Sequence, residues 1–137
     1  MANENFIEHN FNLPTHANEL SKAEEVIEKI RTKLTILEKN NCIDDKSHGK
    51  LYEETIRVLE YLGELSKPFF AINDELEDLY CLKYPHSSEL AKKLWLDHND
   101  RMHHPYNLLK NRCFRMLEEL DVEYQRKFDK NPPNWNI

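Results

Sequence analysis

Two glycines, Gly49 and Gly63, are all that 137 residues contain, and this scarcity restricts the available folds more than any motif does. Average usage of roughly 7% would place about nine or ten in such a chain. Tight hairpins need residues that accept positive φ, and loops that close on phosphate need bare backbone. A β-sandwich, a dinucleotide-binding α/β unit and a P-loop enzyme are therefore poor fits. Helices joined by short polar loops need little glycine, and the expected fold is an all-α antiparallel bundle.

Apolar spacing predicts four main helices. Leu20, Ala23, Ile27, Ile30, Leu34 and Leu37 recur at alternating intervals of three and four, a heptad seam suited to shallow antiparallel packing. Ser21 and Glu24 read as a capping box opening this helix, and Asn40 and Asn41 as its end. Asp44, Asp45, Ser47 and Gly49 read as a turn, followed by a second helix over about 50–66. Its Leu51, Tyr52, Ile56, Val58, Leu59, Leu62 and Leu65 form a surface wide enough to touch two neighbours. Pro68 is expected to break that helix and open a third, which Pro85 stops.

Ser87 or Ser88 caps the fourth helix. Its apolar stripe stays in phase across Pro105, which argues for one helix. Residues 88–129 in a single helix would run roughly 60 Å at 1.5 Å per residue, which argues for a kink or break near residues 103–105. The chain divides into an extended arm (1–18), one helical domain (19–129) and a tail (130–137).

A domain of this length buries about two thirds of its unfolded surface, so neither metal nor disulfide is needed for folding. Cys42, Cys81 and Cys113 form no C-x-x-C pair and read as reduced, partly buried thiols of a cytoplasmic protein. The first ten residues lack the basic-then-apolar pattern of a signal peptide, and the longest apolar run, residues 69–72, cannot span a membrane.

The net charge of −6 is uneven: residues 51–80 carry eight acidic and two basic side chains, whereas residues 81–137 carry eight acidic and ten basic. This balance argues against a global attraction to nucleic acid. Glu53, Glu60, Glu64, Asp74, Glu75 and Asp78 are the candidate surface for a basic protein partner. Lys110, Arg112 and Arg115, close to His103, His104 and Tyr106, form the one basic patch. It is expected to pair with the acidic 51–80 segment of the same molecule rather than with a phosphate backbone.

Residues 97–104 hold the best candidate chemistry. Asp97, His98, Asp100, His103 and His104 are ligand types suited to iron, zinc or manganese. On a helix, Asp97, Asp100 and His104 share one face with Lys93, whereas His98 falls on the apolar stripe with Trp95 and Met102. An ion-pair ladder explains the first group, and His98 is expected to be a core histidine with one bonded nitrogen, the alternative being a buried ring that makes folding pH-sensitive.

The Glu-x-x-His pairs of di-iron bundles are missing, as is Gly-x-Ser-x-Gly. Glu25/Glu28 and Glu75/Asp78 match the two halves of the magnesium motif of helical nucleotide pyrophosphohydrolases of the MazG type. Their separation is far longer than that pattern allows.

The resulting expectation is a non-enzymatic, cofactor-free module of the adaptor, inhibitor or immunity type that binds a partner protein. It would use its acidic face, its arm or its Pro-Pro-Asn-Trp tail, with the second helix able to supply a homodimer seam. The alternative is a metal or ligand site built from residues 97–104.

Overall fold

The computed structural model describes residues 16–133, and four helices account for nearly all of them: α1 (Ala17–Lys39), α2 (Asp45–Ala71), α3 (Asn73–Lys83) and α4 (Ser88–Phe128). No β-strand occurs among the described residues.

In α1 the heptad seam does what its spacing requires. Ala23, Ile27, Ile30 and Leu34 are buried, with Leu20 and Leu37 packed at the margins. Burying a large aliphatic side chain stabilises by about 1.5–3 kcal/mol. The Ser21–Glu24 box, by contrast, is not the start: α1 begins at Ala17, and its N-cap His16 makes no side-chain cap bond. Tertiary contact explains the earlier start. His16 Nδ1 lies 2.6 Å from the Tyr106 hydroxyl, and its ring meets Phe69 and Tyr106 edge-on. The expected arm therefore gives its last two residues to α1, while its residues 1–15 lie outside the described residues. At the other end Asn40 is the C-cap and Asn41 takes a positive φ of 52°, a conformation asparagine tolerates.

The expected turn at Asp44–Asp45–Ser47 is in fact the cap and first turn of α2. The Ser47 N–H donates to Asp44 Oδ1 at 2.8 Å, and the Asp44 N–H donates to Ser47 Oγ at 2.9 Å. This reciprocal bonding satisfies two donors that a helix start would otherwise leave open. Gly49 lies inside the helix, not in a turn. Pro68 does not break α2, which runs on to Ala71 and yields to α3 across Ile72. Proline removes one hydrogen bond, to the Glu64 carbonyl; Glu64 and Pro68 both sit on the exposed side, while the next residue, Phe69, is buried.

The fourth helix is continuous for 41 residues, with Pro105 inside it. Of the two opposing expectations, the in-phase stripe describes the chain, and the length argument falls because the two halves of α4 serve different cores. Leu109, Cys113, Met116, Leu120 and Tyr124 join α1 and α2 in the larger core. Ala91, with Leu94, Trp95 and Met102 around it, joins Leu76 and Tyr80 of α3 in the smaller.

Cross-helix pairs give the directions. His48 meets Asp121, Ser66 meets Lys110, Phe70 meets His103 and Tyr80 meets His98. Thus α2 and α3 run in succession antiparallel to α4. Arg31 pairs with Glu119 and Glu28 with Arg112, so α1 runs parallel to α4. An up-down-up three-helix bundle continues into a two-helix extension, with α4 spanning both.

Candidate functional site

The candidate acidic surface falls on two helices, and they treat it differently. On α2, Glu53, Glu60 and Glu64 are exposed along the stripe opposite the core. Glu53 bonds Arg57 at 2.5 Å and Glu64 bonds Lys67 at 3.0 Å. These pairs are well exposed and contribute only a few tenths of a kcal/mol each, but they offset much of the local negative field. On α3, Asp74, Glu75 and Asp78 are exposed and make no ion pair among the described residues. Asp74, Asp78 and Leu82 follow at intervals of four, one stripe on the outer side, while Leu76 and Tyr80 are fully buried on the inner side. Leu82 is 77% exposed. The acids of the first turn also complement the positive end of the helix dipole.

The basic patch does not assemble. Lys110 and Arg112 are about 200° apart around α4 and reach opposite neighbours. Lys110 Nζ donates to Ser66 Oγ at 3.2 Å and stands 5.5 Å from the Phe70 ring centre. Arg112 pairs with Glu28 of α1, not with the acids of 51–80 as expected. Arg115 is exposed and borders a groove between α1 and α4 beside Leu20 and Leu108.

Residues 97–104 also disperse. Asp97 pairs with Arg101 at 3.4 Å rather than with Lys93, a single ion pair in place of the expected ladder. His98 is buried with Nδ1 2.9 Å from the Tyr80 hydroxyl, a core histidine holding α3 to α4. Asp100 and His104 are exposed. His103, proposed from sequence as a ligand, is buried against Phe70 at 4.3 Å and Phe69 at 6.0 Å between ring centres. Neither of its ring nitrogens has a hydrogen-bond partner. Burial pushes its pKa below the usual imidazole range; Lys110 adds to this and Asp100 opposes it. No three His, Cys, Asp or Glu side chains among the described residues are grouped to hold a metal ion. Glu25/Glu28 and Glu75/Asp78 are likewise not brought together.

One constellation was not visible in the sequence. His48 is fully buried in α2 and its Nε2 donates to Asp121 Oδ1 of α4 at 2.7 Å. Its ring stacks on Tyr52 and meets Tyr124 edge-on. The Tyr124 hydroxyl in turn donates to the Asp45 carboxylate, which pushes the tyrosine pKa up to about 12. A His–Asp pair can activate a nucleophile, but here the third member is a tyrosine held protonated by its own carboxylate. The knot bolts the first turns of α2 to the end of α4. His48 and Asp121 are 73 residues apart, and no local pattern marks such a pair.

Of the thiols, only Cys113 is buried, and burial pushes it up to about 11; Cys42 and Cys81 are exposed rather than partly buried. No helix among the described residues is long and apolar enough to cross a membrane. Comparison with protein-family models, with curated proteins and with solved structures found no match.

Proposed function

We propose that this chain is a non-enzymatic helical module, of the adaptor, inhibitor or immunity type, that engages a basic segment of a partner protein on the outer face of α3. The observation that carries the reading is Leu82, 77% exposed on the stripe that also holds Asp74 and Asp78, with Glu75 beside them. Carboxylates steer a cationic partner and set its register, while an apolar anchor supplies contact energy once water is expelled. The face is preorganised, because Leu76 and Tyr80 fix the helix from behind. Glu53, Glu60 and Glu64 extend the acidic region onto α2.

Affinity capture from the source cell with the wild-type chain and with an Asp74→Asn/Glu75→Gln/Asp78→Asn variant tests this. The expected result is one protein held by the wild type and lost by the variant. When purified, that protein should bind less tightly as salt rises. Equal capture by both chains, or binding indifferent to salt, would overturn the reading.

A further inference from the structure

We infer that the groove between α1 and α2 is a second docking surface, and that it takes an acidic amphipathic helix of a partner protein. The inference rests on α1 and α2 alone and is independent of the α3 face, whose charge is opposite.

The groove encloses about 490 Å³. Its floor is apolar, with buried Ile30 and Val58, and its walls are Val26 and Tyr61, left 41% and 42% exposed. Lys22, Val26, Lys29 and Lys33 stand at i, i+4, i+7 and i+11 on one stripe of α1, a lip of about 16 Å or three helical turns. Arg57 of α2 lines the groove too, and Glu54 is its one acidic lining residue.

The two seams of α1 contrast in charge. Toward α4, opposite charges close the seam: Arg31 with Glu119 and Glu28 with Arg112. Toward α2, Lys33 reaches Glu54 at a loose 3.5 Å, and Lys22 and Lys29 make no ion pair among the described residues. Lys29 and Lys33 are a like-charge i,i+4 pair, an arrangement that destabilises an isolated helix. An apolar trough bordered by cations is complementary to a helix with an apolar stripe flanked by carboxylates.

Such a helix would lie along the seam as a fourth member of the bundle, its anchors at i, i+3/i+4 and i+7 entering between Val26 and Tyr61. Its acids would reach Lys22 and Lys29, and would compete with Glu53 for Arg57. Basic partners lack that charge match, and a phosphate backbone lacks the apolar stripe that the trough would take.

The test uses the full chain and three synthetic peptides about four helical turns long. One is an amphipathic Leu/Glu helix, one its Leu/Lys counterpart, and one a scrambled Leu/Glu peptide of the same composition. Fluorescence anisotropy should show saturable binding of the Leu/Glu helix alone, with amide shift changes confined to α1 and α2. Lys22→Glu/Lys29→Glu should weaken it at least about tenfold, and that variant should gain affinity for the Leu/Lys helix. The Asp74→Asn/Glu75→Gln/Asp78→Asn variant should bind the Leu/Glu helix as the wild type does, which separates this surface from the α3 face.

Absence of saturable binding, equal binding of the scrambled peptide, or indifference to charge reversal would overturn the inference. So would a native-mass dimer dissolved by Val26→Asp, because a second copy would then occupy the groove.

Discussion

His48 Nε2 sits 2.7 Å from Asp121 Oδ1, joining the first turns of α2 to the last turns of α4. His48 is fully buried while Asp121 keeps part of its surface in water, so it is the imidazole that has no substitute partner. Removing one partner of a buried hydrogen bond costs the desolvation of the other, about 1–3 kcal/mol. Asp121→Ala should lower the unfolding free energy by that amount in urea titrations. Asp121→Asn, which keeps an acceptor, should cost less than half as much. Equal losses would show that packing, not the hydrogen bond, fastens this end.

His103 presents the opposite case, a buried ring with both nitrogens unpartnered. Its folded pKa lies below the ordinary 6.5, because burial and Lys110 disfavour the cation. Above the unfolded pKa the ring is neutral in both states and folding is unaffected. As pH falls through 6.5 the unfolded chain binds a proton first, and stability is lost until the folded pKa is passed. His103→Leu should raise stability at pH 7 by about 1 kcal/mol. It should also flatten that part of the stability curve below pH 6.5. An unchanged slope would assign the acid sensitivity to other groups.

Tyr124 makes the alkaline prediction. Its donor bond to Asp45 holds the pKa near 12, above the ordinary 10. A raised folded pKa contributes stability below pH 10 that disappears as pH rises toward 12. Tyr124→Phe should remove that decline in a pH-stability series. In the wild-type protein, one of the six tyrosines should ionise last in an absorbance titration.

Helix interiors supply a pair of stabilising substitutions. A Cβ added at Gly63 would meet nothing within 4 Å, and its φ is negative. Gly63→Ala should therefore stabilise by about 0.5–1 kcal/mol. Pro105 is exposed inside α4, and Pro105→Ala would restore the amide that can bond the Arg101 carbonyl. It should raise stability by about 1–3 kcal/mol. Thermal unfolding checks both; a lower midpoint for Pro105→Ala would mean that α4 needs the shape proline imposes.

The local reading succeeded where one helix carries its own information. The α1 seam, the asparagine stop, the Ser87 cap (its Oγ accepts from the Leu90 N–H at 3.1 Å) and the core histidine at 98 were all legible from spacing. It failed at starts and breaks. Ser21–Glu24 has the chemistry of a cap, yet His16 is anchored on Tyr106 one turn earlier, and the helix begins there. Asp44 and Ser47 looked like a turn because a capping box and a turn use the same residues.

The candidate site was legible only in part. The exposure of Asp74, Glu75 and Asp78 follows from α3's period, and the divergence of residues 97–104 follows from theirs. The partners of Lys110 and Arg112 did not, because each side chain answers to whichever helix lies across its own face. His103 looked like a ligand and is a core residue.

By itself the sequence determined that this protein is helical and where each helix turns its apolar side. Those properties depend on backbone period and on neighbours within a few positions. Only the tertiary structure decided that α4 runs whole through Pro105, that α2 gives way to α3 at Ile72 rather than at Pro68, and that α1 and α2 leave a cation-edged groove. A proline costs a helix one hydrogen bond, and two cores arranged along a single rod outweigh that cost. No stretch of sequence read alone contains both cores.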